Sequence, residues 1–182
     1  MISLILIYGA IGGLVIAVPM IWHMLSLAPG EAPVMSMLLT YLVMLVALTS
    51  VFLGVKSYRD KVLGGVIRFL PAFGLGLAIS AVASLIYMIG WEISMAYSNF
   101  DFTTYYANMM IEGARGGTPE QLAKATAAAQ DFTDFYRQPV KRMAMTFVEM
   151  FPVGVLVSLI SAAVLRNSRV MPAVLTSRPN TP

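Results

Sequence analysis

Hydrophobic residues along this chain fall into four long runs with few charged interruptions. A helix needs roughly 20 apolar residues to cross the hydrocarbon core of a bilayer, and each run is about that long. The pattern predicts transmembrane helices at residues 2–27, 34–55, 69–97 and 143–165. The first run lacks a basic leading segment and exceeds the usual apolar core of a signal peptide. We therefore interpret it as a retained helix.

The connection before the last run, residues 98–142, is long enough to need structure of its own. It carries two apolar stripes at helical spacing. They consist of Phe102, Tyr105, Tyr106, Met109 and Met110, then Leu122, Ala125, Ala129, Phe132 and Tyr136. Between them, Thr118 and Gln121 fit a capping box around Pro119. The pattern predicts a helical hairpin whose stripes pack together or lie on the membrane surface.

Basic residues are concentrated in the connection KSYRDKVLGGVIR and in the tail, residues 166–182, which includes Arg166, Arg169 and Arg178. By the positive-inside rule, both segments and both termini are expected in the cytoplasm of a bacterium, with the chain in the inner membrane. The first loop, APGEAP, contains only Glu31 as a charged residue. In the connection, we expect the basic side chains to reach the interface and contact anionic lipid. These are Lys56, Arg59, Lys61 and Arg68.

Composition supports an all-α, polytopic membrane protein consisting of a single membrane domain over residues 1–182. Hydrophobic residues make up 58% of the chain, charged residues 12%, and the mean hydropathy is +0.78, whereas soluble domains are about a quarter charged. Topology explains the basic residues, so we expect no nucleic-acid partner. Because the chain has no cysteine and one histidine, thiol chemistry is excluded and metal ligands are few. We predict no cofactor and no metal site.

Small residues predict where the membrane helices approach each other in a four-helix bundle. Gly9 and Gly13 form a GxxxG pair in the first helix. Stripes with four-residue spacing follow in the third and fourth helices, at Ala72, Gly76, Ser80 and Ser84 and at Gly154, Ser158 and Ala162. Pro19 and Pro152 each remove a backbone hydrogen bond and are expected to bend their helices.

Two stretches carry a resemblance to a known family: KSYRDKVLGGVIRF, followed by Ala72, Phe73 and Gly76, and TFVEMFPVGVLVSLISAAVL. The chain resembles an uncharacterised bacterial family of four-span membrane proteins, known as a domain of unknown function. The resemblance covers nearly the whole chain. It implies four membrane helices with a helical insertion before the last one, and it implies no activity or site residue.

Ionisable residues inside membrane helices are candidates for functional sites, and three lie in the predicted outer half: His23, Glu92 and Glu149. One interpretation is a pocket open to the periplasm, in which the three share protons or bind a cationic group. Another is that Glu149 is protonated, or is paired with Lys141, Arg142 or a backbone group, and only fixes its helix. The sequence leaves both interpretations open.

Function is less constrained than fold. The chain has no metalloprotease motif, nucleophile elbow or phosphate-binding loop, so we expect no enzyme. The preferred hypothesis is an accessory, scaffold or lipid-interacting factor that contacts membrane lipids and binds a membrane-protein partner through the Ser98–Arg142 hairpin. The alternative is a small transporter or channel with a polar outer-half pocket. Four helices leave little room for a pathway, which a homo-oligomer would supply.

Overall fold

A computed structural model of the protein describes residues 1–28 and 37–173. Within these ranges the chain forms six α-helices and no strand. They are α1 (Ile2–Ser26), α2 (Met37–Lys61), α3 (Phe69–Tyr97), α4 (Phe102–Ala114), α5 (Pro119–Tyr136) and α6 (Pro139–Leu165). In the described part, four helices are long and apolar enough to cross a membrane: α1, α2 from Thr40, α3 and α6. The prediction of an all-α membrane protein is confirmed.

Two helices extend beyond the predicted membrane segments. α2 continues to Lys61, past the predicted end at residue 55, and α6 begins at Pro139, before the predicted start at residue 143. Hydropathy marks the part of a helix that lies in lipid, whereas the backbone hydrogen bonds continue into polar flanks. The predicted loop at Glu31, the predicted start of the second helix at residues 34–36 and the tail beyond Ala173 lie outside the described residues.

The four long helices pack in a ring in which α3 contacts α1 on one side and α6 on the other, while α2 contacts both α1 and α6. Close approach of α1 to α3 depends on the predicted GxxxG pair. A Cβ atom at Gly9 would lie 2.6 Å from the Cβ of Val82, and one at Gly13 would lie 2.6 Å from that of Ile86. Both glycines therefore allow a backbone separation that an alanine would increase.

The contact between α3 and α6 is formed by the two predicted stripes of small residues, all of which are buried. Ser80 donates a hydrogen bond to the carbonyl of Gly154 across the contact at 3.2 Å, and Ser158 donates to the same carbonyl at 2.7 Å. Gly76 faces Ser158, so closely that a Cβ atom would lie 2.8 Å from the serine Cβ. The hydroxyl groups of Ser80 and Ser158 are thus satisfied by the chain itself within this contact.

α4 and α5 form the predicted hairpin, and their aromatic stripes pack against each other. The capping box is present at the start of α5: Gln121 N–H donates to Thr118 Oγ1 at 3.2 Å, and Thr118 N–H donates to Gln121 Oε1 at 2.8 Å. Across the hairpin, the ring centroids of Tyr106 and Phe132 are 5.8 Å apart. Of the two arrangements predicted for the stripes, the structure shows mutual packing.

Candidate functional site at the hairpin end

The membrane helices have two ends of different character. We call the end next to α4 and α5 the hairpin end. The opposite end, where α2 meets the residues that follow α6, is the tail end. The candidate site lies at the hairpin end, because the three predicted polar residues, His23, Glu92 and Glu149, and a cluster of aromatic rings lie at that end.

A bidentate ion pair joins α3 to α6 at the hairpin end. Arg142 donates from Nε to Glu92 Oε1 at 2.8 Å and from Nη2 to Glu92 Oε2 at 2.5 Å. Its Nη1 donates to the carbonyl of Tyr136, the last residue of α5, at 3.2 Å. Planar guanidinium groups suit this paired geometry. One arginine therefore ties together α3, the end of α5 and the start of α6.

Aromatic rings connect the hairpin to α3. We call these five residues the aromatic cluster: Trp91, Phe102, Tyr106, Phe132 and Tyr136. The Trp91 indole N–H donates to the Tyr136 hydroxyl at 2.8 Å, and the ring centroids of Trp91 and Phe102 are 5.0 Å apart in a T-shaped contact. Burial raises the pKa of the Tyr136 hydroxyl well above its ordinary value, so this group remains a neutral hydrogen-bond acceptor.

Two cavities adjoin the aromatic cluster. The first, which we call the Glu149 cavity, has a volume of about 270 Å³ and is lined by the whole cluster together with Tyr87, Met145, Thr146 and Glu149. The second, the His23 cavity, measures about 310 Å³ and includes Met20, His23 and Met109 in its lining. The two cavities share four lining residues, which are Tyr87, Trp91, Phe102 and Tyr106.

The three predicted polar residues lie at the same end of the molecule, but the structure does not bring them into one pocket. Glu92 is held by Arg142 and lines neither cavity, while Glu149 and His23 line different ones. Within the described part of the chain, Nε2 of His23 is buried without a hydrogen-bond partner. No three acidic or histidine side chains of residues 1–28 and 37–173 are grouped as a metal site.

Glu149 has no ion-pair partner among the described residues, and it is exposed on the surface of α6 where it borders its cavity. The basic residues considered for it are engaged elsewhere. Arg142 binds Glu92, and the Lys141 ammonium lies 5.7 Å from the ring centroid of Phe135. The interpretation that Arg142 pairs with Glu149 is therefore wrong, because Glu92 of α3 accepts from Nε and Nη2 of the guanidinium group and the Tyr136 carbonyl accepts from Nη1.

At the tail end, one prediction for the basic residues is also wrong: Arg59 does not face lipid but is fully buried. Its side chain donates to Asp60 Oδ1 at 2.6 Å and to the carbonyls of Val170 and Met171 at 3.0 and 2.5 Å. A weaker contact of 3.4 Å reaches the carbonyl of Leu165. Arg59 thus satisfies backbone acceptors at and beyond the C-terminus of α6.

The other three basic residues of this connection are more accessible. Lys56 pairs with Asp60 at 2.6 Å and is partly buried, whereas Lys61 and Arg68 are exposed. A sequence signal for the buried arginine exists in the register of α2. Its buried apolar positions, Met44, Leu48, Val51 and Val55, recur at steps of three and four residues, and Arg59 continues the series.

Comparison with known proteins places the chain in a family. The sequence profile of a family described as "protein of unknown function (DUF4199)" matches residues 7–167. Since this range covers most of the 182 residues, the chain belongs to that family, and the predicted resemblance to a family of unknown function is confirmed. No curated protein and no solved structure matches the chain.

Proposed function

We propose that this member of the DUF4199 family is a non-enzymatic, lipid-interacting protein of the bacterial inner membrane. The observation that carries the proposal is the Glu149 cavity, which lies where the hairpin meets α3 and α6. Aromatic rings and a single carboxylate line it. Mostly apolar cavities with a few polar groups are typical of ligand sites, and this one adjoins the surface that lipid covers.

Exposed apolar side chains beside the cavity support access from the bilayer. Met145, which lines the cavity, is 50% exposed, and its neighbour Val148 on α6 is 63% exposed. In a membrane protein such side chains face acyl chains. Trp22 and Tyr97, near the same ends of α1 and α3, are also largely exposed, as expected of aromatic residues at the membrane interface. An amphiphile at the interface would reach the cavity without crossing the packed helices.

The orientation in this proposal follows from charge. The basic residues of the Lys56–Arg68 connection and of the tail favour a cytoplasmic tail end, and so the hairpin faces the periplasm. The cavity would then receive lipids of the periplasmic leaflet. A membrane-protein partner on the hairpin is compatible with this role, since Tyr105 and Met109 of α4 remain 38% and 48% exposed.

The test is extraction of the protein from native membranes in mild detergent, followed by mass spectrometry of all copurifying lipids and proteins. Phe132→Ala should lower the amount of retained lipid, because Phe132 lines the cavity. Phe135→Ala is the matched control three residues along α5, since Phe135 does not line the cavity and is similarly placed on the hairpin. Equal lipid retention by the two variants and the unaltered protein would overturn the proposal.

A second candidate function, a small transporter, rests on Nε2 of His23, which is buried and has no hydrogen-bond partner among the described residues, in the cavity adjoining that of Glu149. Transport would require protons or solute to pass from one cavity to the other, past the side chains that line both cavities. Uptake into vesicles that depends on a proton gradient, and that is lost in both His23→Gln and Glu149→Gln, would favour this candidate. If neither the parent protein nor its homo-oligomer takes up any solute into the vesicles, the transporter hypothesis is wrong.

A further inference from the structure

We infer that the Glu149 cavity recognises the ammonium group of a lipid headgroup. The inference rests on the proposed lipid-interacting function and names the chemistry of the ligand. The first observation is the negative charge of the Glu149 carboxylate. A carboxylate at membrane depth is costly unless it is paired, hydrogen-bonded or protonated, and Glu149 has no ion-pair partner in the described part of the chain.

Glu149 lies deep enough in the predicted membrane region for the desolvation of its carboxylate to be costly. Arg142 and Glu92 pair at the same level of the hairpin end, and Glu149 follows Arg142 on α6 by seven residues. With a rise of about 1.5 Å per residue, its Cα lies roughly 10 Å further toward the tail end. The carboxylate therefore lies below the level of the hairpin-end ion pair, beside side chains that face acyl chains.

The two basic residues that precede Glu149 on α6 are engaged with other groups. Arg142 uses its guanidinium edges on Glu92 and on the Tyr136 carbonyl, while Lys141 lies over the ring of Phe135. By contrast, Glu92 and Asp60 each have a basic partner at 2.5–2.6 Å. Glu149 thus differs from the two other carboxylates of the membrane helices, since it has no basic partner within residues 1–28 and 37–173.

The other lining groups suit a cation. Six aromatic rings border the cavity, those of the aromatic cluster and of Tyr87. Aromatic rings attract ammonium groups through their negative faces, by about 0.5–2 kcal/mol for each well-placed contact. A carboxylate together with several rings is therefore a suitable environment for a primary or quaternary ammonium group. An anionic or hydroxyl headgroup has no positive charge and would gain neither an ion pair with Glu149 nor cation–π contacts with the rings.

Size and position point to a headgroup rather than to a whole free ligand. The volume of about 270 Å³ is at or below the lower limit of about 300 Å³ for pockets that enclose a drug-sized molecule. Met145, which lines the cavity, is exposed, and so is Val148 three residues further along α6. An ammonium group can enter the cavity while the acyl chains of its lipid remain against the surface of α6.

The experiment compares lipid retention by native mass spectrometry. The full-length protein is equilibrated in micelles with equal amounts of phosphatidylethanolamine and phosphatidylglycerol that carry identical acyl chains. We expect the protein to prefer phosphatidylethanolamine about tenfold, which corresponds to about 1.4 kcal/mol. Glu149→Gln should reduce this preference to near one, and Glu149→Asp should retain most of it. Glu112→Gln is the control, since it removes an exposed carboxylate of α4 and should change nothing.

A second measurement does not depend on the folding of a variant. Tetramethylammonium chloride is titrated into the unaltered protein with bound phosphatidylethanolamine, and sodium chloride is the control for ionic strength. Displacement by tetramethylammonium alone supports the inference. Equal displacement by both salts, or by neither, overturns it.

The outcomes separate this inference from the proposed function. Retention of both lipids in equal amounts, with Phe132→Ala still lowering both, overturns ammonium recognition and leaves lipid binding in place. Retention of neither lipid overturns both. If ethanolamine binds in lipid-free micelles with the same dependence on Glu149, while phosphatidylethanolamine shows no preference, the ligand is a free amine and the lipid assignment is wrong.

Discussion

The two ends of the membrane helices each hold an arginine against a carboxylate, but the surroundings of the two arginines differ. At the tail end, Arg59 is fully buried, and its donors reach Asp60 and the backbone beyond α6. At the hairpin end, the Arg142 side chain is 16% exposed and lies beside the aromatic cluster. There, a further carboxylate borders a cavity without an ion pair in the described chain.

This difference indicates a division of roles. At the tail end, the buried charge of Arg59 joins α2 to the residues at and after the end of α6 and therefore stabilises the fold. The hairpin end uses its ion pair to position the hairpin and leaves a lined cavity beside it. We therefore expect changes at the tail end to affect stability most, and changes at the hairpin end to affect ligand binding and the hairpin.

The largest expected effect comes from Arg59→Met. Removing Arg59 leaves the bound backbone carbonyls without their donor and leaves Asp60 with Lys56 alone, and loss of one member of a buried ion pair costs about 3–5 kcal/mol. The free energy of unfolding in detergent measures this. Lys61→Met, an exposed position at the same end of α2, should change stability by less than about 0.5 kcal/mol. Equal losses of stability in the two variants would show that the buried contacts of Arg59 do not stabilise the tail end.

A smaller loss is expected from Gly76→Ala in the contact between α3 and α6. The added Cβ would lie 2.8 Å from that of Ser158, and overpacking of this kind costs about 1–3 kcal/mol. Gly74→Ala is a control two residues away, where a Cβ meets nothing within 4 Å. That variant should be neutral or slightly stabilising, because alanine favours helix. Thermal unfolding of the two variants in one detergent would reveal whether the contact is as close as described.

At the hairpin end, Glu92→Gln should cost about 1.5–3 kcal/mol, the usual value for hydrogen bonds to a charged group. The loss should be local, since Arg142 also holds the carbonyl of Tyr136. Hydrogen exchange should accelerate in α4 and α5 and remain unchanged around Arg59. Uniform acceleration along the chain would contradict the proposed independence of the two ends.

The smallest effect concerns Asp101, the N-cap of α4, whose carboxylate accepts from Thr104 N–H at 3.0 Å. The hydrogen bonds from Thr104 lower the pKa of Asp101 below its ordinary value. The stabilisation is therefore present above the unfolded-state pKa of about 3.9 and is lost as the pH falls through the lower folded-state value. Removal of a cap costs about 0.5–2 kcal/mol.

The measurement for Asp101 is hydrogen exchange of α4 as the pH is lowered below about 4. Asp101→Asn keeps a capping acceptor that does not titrate in this range, so its protection should not show this step. If the parent protein and the asparagine variant lose protection in parallel, another group is responsible for the acid sensitivity of the hairpin.

Local signals made most of the fold predictable from sequence. Long apolar runs identified the membrane helices, and Thr118, Pro119 and Gln121 marked the start of α5 because a capping box involves residues only three apart. The stripes of small residues were also predicted, since their spacing places them on one face whatever the partner helix is. These features depend on neighbours in the chain.

The candidate site was less predictable because its contacts are distant in sequence. Glu92 and Arg142 are separated by 50 residues, and nothing in the local pattern distinguishes Glu92 from Glu149 as the partner of Arg142. Burial of Arg59 was missed for a related reason. Basic residues at helix ends usually reach toward the interface, and only the register of the buried positions in α2 places this one against the end of α6.

The contacts of Arg59 also bear on the order in which the protein is assembled. Val170 follows Arg59 in the chain by 111 residues, so a ribosome completes the acceptors long after the arginine has left it. During synthesis, Asp60 and Lys56 are the charged groups already beside Arg59. The interactions of the cationic end of α2 are therefore completed only when α6 and the residues behind it have been synthesised.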